Sequence, residues 1–154
     1  MPNWCEGTLK VRGSFKNLKN FVMNGLKAVN IIGAVVSAKV EMDETYLKMY
    51  DFEGSLYMKN TRRHFCEPDY IEIFVDEPEE ITTLLLPMKA AWCIDSDGLL
   101  ALCKEFHVDM RIEGFERGME FSQIIEIVDG EILQDDEIKY TDWNWECPCP
   151  TLGG

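Results

Sequence analysis

The stretch WCEGTLKVRGSF, residues 4–15, decides most of what the sequence predicts about the fold. From Thr8 to Arg12, polar and apolar residues alternate with the period of a half-buried β-strand. Gly13 ends this alternation, and the next residue is Ser14, a type that often accepts a hydrogen bond from the first free amides of a helix. The stretch therefore predicts a short strand followed at once by a capped helix.

The pattern outward from this stretch predicts further helices and strands. Apolar residues recur at helical spacing after Ser14, which predicts a helix over residues 15–29. A shorter helix is predicted over 43–50, and a third over 99–106 behind a capping Asp95. Extended segments are predicted at 8–12, 55–59, 70–75, 82–94, 110–113 and 121–128. In the segment 82–94, Pro87 is predicted to mark an edge or a bulge.

These elements predict one α+β domain over residues 1–154, with residues 140–154 as a C-terminal tail. Two main helices cannot cover both faces of five or more strands, so we expect both on one face of an antiparallel sheet. Such an arrangement is ferredoxin-like. Asp129-Gly130 is the strongest turn signal, because both central residues of a type I′ hairpin turn need a positive φ.

Charge is unevenly distributed along the 154 residues, whose net charge is -13. Residues 1–77 carry 11 acidic and 10 basic residues, whereas residues 78–154 carry 17 acidic and 5 basic ones. Such a field repels phosphate backbones and anionic membranes, so we expect no direct binding of nucleic acid or membrane. Two interpretations stay open: a soluble acidic surface without a target, or attraction of a basic partner protein.

The cysteines and the N-terminal sequence bear on the cellular compartment. The six cysteines show no paired framework, and no basic leader with an apolar stretch precedes the first predicted strand. The longest nearly apolar run, residues 31–38, is too short to span a bilayer. We therefore expect reduced, mostly buried thiols and a location in the bacterial cytoplasm.

Several motifs together resemble a known family. They are Met-Pro-Asn-Trp-Cys at 1–5, Ala-Trp-Cys at 91–93, the segment 111–121 with its Gly-turn, and Asp-Gly-Glu at 129–131. The chain resembles small phage- and plasmid-borne proteins that contain a YubB-type ferredoxin-like domain. The resemblance implies a ferredoxin-like fold and a mobile-element or host-interaction setting, and it transfers no catalytic residue. It does not extend to residues 31–67.

The acidic C-terminal region supplies the candidate binding residues. Carboxylates and exposed tryptophans suit a basic partner, since tryptophan is enriched at binding hot spots. The candidates are Asp135, Asp136, Glu137, Asp142, Trp143 and Trp145. For the tail, the open alternative is that Trp143 and Trp145 hold it against the sheet. We predict a non-enzymatic interaction protein that competes with nucleic acid for a basic host protein, as a counter-defence inhibitor of a phage would. The sequence leaves the oligomeric state open.

A second hypothesis concerns metal or thiol chemistry. Cys147 and Cys149 lie one residue apart, and His64 or Cys66 could complete a zinc site with them. Zinc ligands more often come as two Cys-x-x-Cys pairs, and only one loose pair is present. The first hypothesis needs no cofactor; the alternative is a small zinc- or thiol-dependent protein built on Cys147, Cys149 and either His64 or Cys66.

Overall fold

The computed structural model describes all residues from 1 to 154, of which 47% lie in strands and 17% in helices. The elements in chain order are β1 Trp4–Ser14, α1 Phe15–Gly25, β2 Leu26–Val29, β3 Lys39–Met42, β4 Tyr46–Tyr50, β5 Ser55–Met58, β6 His64–Cys66, β7 Ile71–Phe74, β8 Ile81–Ala91, α2 Ser96–Phe106, β9 Asp109–Glu116, β10 Phe121–Val128, β11 Glu131–Lys139 and α3 Trp143–Glu146. None of the three helices has the length and apolar character needed to cross a lipid bilayer.

The strands form two antiparallel sheets. The larger has eight strands in the order β11-β10-β9-β1-β8-β6-β5-β2, and the smaller has three in the order β3-β4-β7. β1 lies inside the large sheet, and it pairs with β8 without interruption from Trp4 opposite Ala91 to Ser14 opposite Ile81. Its other edge pairs with β9. The first strand of the chain therefore organises the large sheet.

The main core is formed by the large sheet, the two longer helices and the small sheet, whose residues Leu47 and Ile73 are buried in it. Alternate residues of β1, such as Leu9 and Val11, are fully buried, while the residues between them are exposed. The helices contact each other through Phe21 of α1 and Phe106 of α2, whose rings meet edge to face at 5.8 Å. A Cβ on Gly25 would lie 2.9 Å from the Phe21 ring and 3.0 Å from the Phe106 ring, so this aromatic contact needs a glycine at the end of α1.

The predicted ferredoxin-like α+β fold is wrong. The protein is mostly antiparallel β, with 11 strands in two sheets and only three short helices. The difference comes mainly from residues 26–91, which form seven strands. Some of these strands pair with a distant partner, as β8 does with β1, and others form short local hairpins, as β3 does with β4.

Two predicted helical segments are extended instead. The helix predicted over 15–29 ends at Gly25, and Leu26–Val29 forms β2 against β5. Leu26 and Val29 suit the apolar face of a helix, yet both are buried as strand residues. Residues 43–50 contain a turn and β4, because Asp43 bonds to the amide of Thr45 and starts a hairpin. The predicted helix there is wrong.

Other local predictions are confirmed. The Ser14 hydroxyl accepts a hydrogen bond from the amide of Asn17 at 3.2 Å, and Asp95 accepts one from Gly98 at 3.1 Å at the start of α2. Asp129 and Gly130 have φ of 51° and 72° and join β10 to β11. Pro87 lies at no bulge, because β8 pairs continuously with β1 around it. It does lie where β6 stops pairing with β8 and β8 becomes a free edge on that side, and its carbonyl accepts the Glu67 amide.

Candidate functional site

β11 forms one free edge of the large sheet. It pairs only with β10, and every residue from Glu131 to Lys139 except Gln134 is exposed. The strand holds four carboxylates and one basic residue, Lys139. The hairpin turn at 129–130 positions it, since a two-residue turn with positive φ aligns the two strands closely. The result is a nine-residue acidic edge that no part of the chain covers.

The backbone groups of β11 alternate between β10 and solvent. The amide of Tyr140 donates to the carbonyl of Glu120. Because hydrogen-bonded positions alternate along an antiparallel strand, the backbone groups of the even-numbered residues in this part of β11 bond to β10. The amides and carbonyls of Asp135, Glu137 and Lys139 therefore point away from the sheet. The strand thus offers unpaired backbone donors and acceptors beside its carboxylates.

The predicted acidic run, Asp135, Asp136 and Glu137, lies in the middle of this edge. Asp135 and Glu137 lie on one face of the sheet, and Asp136 lies on the opposite face, where Gln134 donates to it at 2.8 Å. Lys139 lies 3.4 Å from Glu137. The three carboxylates therefore do not converge on one point. They instead give both faces of the edge a negative charge.

The two predicted tail tryptophans have different environments. Trp143 is buried, packs edge to face with Tyr140 at 5.5 Å, and donates from Nε1 to the carbonyl of Pro150 at 2.9 Å. Trp145 is 87% exposed. Asp142 precedes α3 and is exposed, and its amide donates to Glu146. Trp143 is therefore a packing residue, while Trp145 and Asp142 remain accessible to a partner.

The C-terminal tail folds back onto the sheet. Trp143 and Cys147 form a small apolar cluster with Phe115 of β9. The amide of Gly154 donates to the carbonyl of Trp4 at 3.0 Å, and the amide of Gly153 donates to the Glu6 carboxylate at 3.1 Å. Phe115 lies opposite Glu6 and Ser122, on the face that the helices leave open. The tail therefore covers part of this open face.

The residues of the zinc hypothesis lie in separate clusters. Cys66 belongs to the main core, whereas Cys147 belongs to the tail cluster. No group of three or more His, Cys, Asp or Glu side chains is placed to hold a metal ion. Burial raises the pKa of the Cys66 thiol to about 12, so that this thiol stays protonated and is a poor ligand and nucleophile.

Both ring nitrogens of His64 are engaged inside the protein. Nε2 accepts the Asp95 amide at 2.8 Å, and Nδ1 therefore carries the proton and donates to the carbonyl of Arg62 at 2.9 Å. Burial lowers the pKa of His64, and this effect outweighs those of the Arg62 carbonyl and the Asp95 carboxylate. The ring links β6 to the start of α2, which is a structural role.

One cluster of cationic and aromatic side chains was missed by the sequence analysis. The rings of Trp4 and Phe65 meet edge to face at 6.1 Å. The Nζ of Lys89 lies 4.8 Å from the Trp4 ring centre, and the Arg63 guanidinium lies 5.7 Å from it. They line a cavity of about 590 Å³ together with Val29 of β2 and the loop 30–33, in which Ile31 and Ile32 are exposed. The sequence contains both the Trp4 motif and the basic run, but only the β1–β8–β6 pairing brings them together.

Comparison with known proteins adds no relative. No protein-family model matches this chain, and neither a curated protein nor a solved structure matches it. The resemblance to phage- and plasmid-borne proteins therefore rests on the sequence motifs alone and stays a prediction.

Proposed function

We propose that this protein is a non-enzymatic interaction protein that binds a basic, extended segment of a partner along β11. The observation that carries the proposal is a nine-residue strand at a free sheet edge with four carboxylates against one lysine. A partner segment would add a further strand to the sheet, a recognised mode of peptide binding.

The backbone supplies the part of the binding that does not depend on sequence. The outward amides and carbonyls of Asp135, Glu137 and Lys139 can form a ladder with any extended chain. Binding there would remove the exposed edge that otherwise makes a sheet prone to association.

The charge of the edge favours a basic partner over a second copy of this chain. Pairing two β11 strands would place eight carboxylates against only two lysines along one seam. Like charges on neighbouring strands destabilise their pairing, whereas lysines or arginines on the partner would neutralise the edge. The 17 acidic residues of the C-terminal half would also accelerate the encounter with a basic surface.

In the sharper form of this proposal, the partner is a host protein whose basic surface otherwise binds nucleic acid. An acidic protein edge and a phosphate backbone then compete for the same lysines and arginines. The mobile-element setting that the resemblance implies would suit such an inhibitor. Asp142 and Trp145, which are exposed and follow β11 in the chain, would extend the contact.

The test uses a fluorescein-labelled nonapeptide of alternating lysine and valine, with a glutamate–valine peptide of equal length for comparison. Fluorescence anisotropy is recorded at low and at moderately high salt. The variant Asp135→Asn/Asp136→Asn/Glu137→Gln removes three charges and keeps the strand backbone. The matched control Glu44→Gln/Glu53→Gln/Asp69→Asn removes the same charge from exposed positions outside β11.

We expect the β11 variant to bind the lysine peptide at least about tenfold more weakly, and the control variant to bind within about twofold of the wild type. Binding should also weaken as salt is raised. Equal losses in both variants would mean that net charge acts without a defined site. Salt-independent binding would contradict the electrostatic basis of the proposal.

A further inference from the structure

A groove separates two strands that follow one another along the chain. β7 ends at Phe74 and β8 begins at Ile81, with the turn at 75–80 between them, yet the two strands belong to different sheets and do not pair. Residues 70–74 and 82–86 line a cavity of about 400 Å³ between these strands. The groove therefore opens between the edge of one sheet and the edge of the other.

The first half of β8 has a partner on one side only. β1 pairs with β8 along its whole length, whereas β6 reaches only from Ala90 to Met88. On the β6 side, the amide of Ala91 donates to the carbonyl of Arg63, and the carbonyl of Pro87 accepts from Glu67. The backbone N–H and C=O groups of the odd-numbered residues of β8 thus point away from β1.

By this alternation, the backbone groups of Thr83 and Leu85 point toward the groove, where the chain provides no strand to receive them. Neither the amide of Thr83 nor that of Leu85 donates a hydrogen bond within the protein. β8 therefore presents two unpaired amides and two unpaired carbonyls to the groove.

β7 presents a matching edge. The amide of Val75 donates to the carbonyl of Thr45, so the backbone groups of the odd-numbered residues of β7 form the hydrogen bonds with β4. The amides and carbonyls of Glu72 and Phe74 consequently point away from β4, on the side of the groove. Both walls of the groove thus end in unpaired strand backbone.

Most side chains that line the groove are apolar, with Glu72, Thr82 and Thr83 as exceptions, and one end is acidic. Phe74 is 73% exposed and Leu85 is 58% exposed, and Tyr70 and Ile81 are also largely exposed. The turn that closes the groove has the sequence DEPEE at residues 76–80, with four carboxylates. Exposed apolar residues beside unpaired backbone suit an extended apolar strand, and the acidic turn suits a basic residue at its end.

We propose that this groove binds an extended, apolar segment of a partner protein that carries lysine or arginine at the end next to the turn 76–80. The segment adds a strand between β7 and β8 and joins the two sheets through main-chain hydrogen bonds. This site is distinct from β11, from which β10, β9 and β1 separate β8 in the large sheet. It does not depend on the proposed function of β11.

The test uses a fluorescein-labelled peptide, Lys-Lys-Val-Thr-Val-Thr-Val, and a second peptide with glutamates in place of the lysines. Thr83→Pro removes one N–H that points into the groove. Pro87 already occupies an equivalent outward position in β8, so the ladder with β1 should persist. Thr83→Val is the matched control, because it keeps the N–H. Circular dichroism and thermal unfolding verify that each variant folds.

We expect Thr83→Pro to weaken binding of the lysine peptide about tenfold, while Thr83→Val stays within about twofold of the wild type. The glutamate peptide should bind at least about tenfold more weakly. For the peptide Lys-Lys-Val-Thr-Val-Thr-Val, the β11 variant Asp135→Asn/Asp136→Asn/Glu137→Gln should lose less affinity than Thr83→Pro, because the apolar residues of this peptide match the groove. Equal affinity of Thr83→Pro and Thr83→Val would overturn the proposal.

Amide hydrogen exchange keeps the proposal testable if Thr83→Pro does not fold. In the free wild-type protein, the amides of Glu72, Phe74, Thr83 and Leu85 should exchange fast, and the lysine peptide should protect all four. Those of Leu84 and Leu86, bonded to β1, should be protected in both states. Peptide binding without new protection at the four amides would refute the site. Protection in the free protein, together with a dimer mass in sedimentation, would show a second copy in the groove and would also refute it.

Discussion

Acidification is expected to destabilise the folded protein through His64, which is fully buried on β6. Its Nε2 accepts the Asp95 amide and its Nδ1 donates to the Arg62 carbonyl, so protonation would break the first of these bonds. Burial lowers the pKa of His64 below its ordinary value of 6.5. The folded protein therefore keeps the ring neutral at a pH where the unfolded chain already binds a proton.

The sign and size of the effect follow from proton linkage. Above the unfolded pKa of 6.5 neither state binds this proton, and stability is at its full value. As the pH falls from 6.5 toward the lowered folded pKa, the unfolded state gains the proton first and the free energy of unfolding decreases. Between about pH 7.5 and 5.5 the loss approaches about 1.4 kcal/mol when the folded pKa lies well below this window.

The assay is urea denaturation of the wild type and of His64→Gln at both pH values. Glutamine can offer an acceptor to the Asp95 amide but does not titrate. The free energy of unfolding of His64→Gln should therefore fall less between the two pH values than that of the wild type. His107→Gln is the control, because His107 is exposed and its variant should behave like the wild type. A loss of equal size in His64→Gln and in the wild type would refute the reasoning.

Three further predictions concern packing and exposure. Gly7→Ala should lower the free energy of unfolding by about 3 kcal/mol, since the new Cβ would lie 2.2 Å from a carbonyl oxygen of β9. Gly33→Ala, with φ of +83° and open space around it, should lower it by only about 1 kcal/mol. Chemical denaturation compares the two variants, and equal losses would contradict the close approach of β1 and β9. Trp145→Phe should lower the fraction of tryptophan emission that acrylamide quenches, and Trp143→Phe should raise it; changes of the same sign would be inconsistent with one exposed and one buried ring. Iodoacetamide should alkylate Cys93 in the folded protein and reach the fully buried thiols only after unfolding, which peptide mapping by mass spectrometry can check.

Local signals in the sequence predicted local structure well. The caps at Ser14 and Asp95 and the turn at Asp129-Gly130 depend on residues within a few positions, and all three are present. The pattern failed at 26–29, where a strand needed a distant partner, and at 43–50, where Asp43 starts a hairpin turn and not a helix. Leu26 and Val29 fit both a helix face and a short strand, and only pairing with β5 decides for the strand.

The sequence predicted which acidic residues form the candidate site, but not where these residues lie in the sheet. The sequence identified Asp135, Asp136 and Glu137, and the structure places them on an exposed strand. That this strand is a sheet edge depends on the strand order, which no residue pattern encodes. The groove at Thr83 and Leu85 was missed for the same reason, because it exists only where β6 ends partway along β8.

The central position of β1 has a consequence for biosynthesis. Trp4 pairs with Ala91, so β1 leaves the ribosome well before β8 and meets this neighbour only after 87 more residues have been added. At about 5–20 residues per second this is a wait of roughly 4–17 s, during which its apolar side chains and backbone stay uncovered. Nascent chains should therefore engage chaperones early, and truncations before β8 should aggregate instead of accumulating as partly folded species.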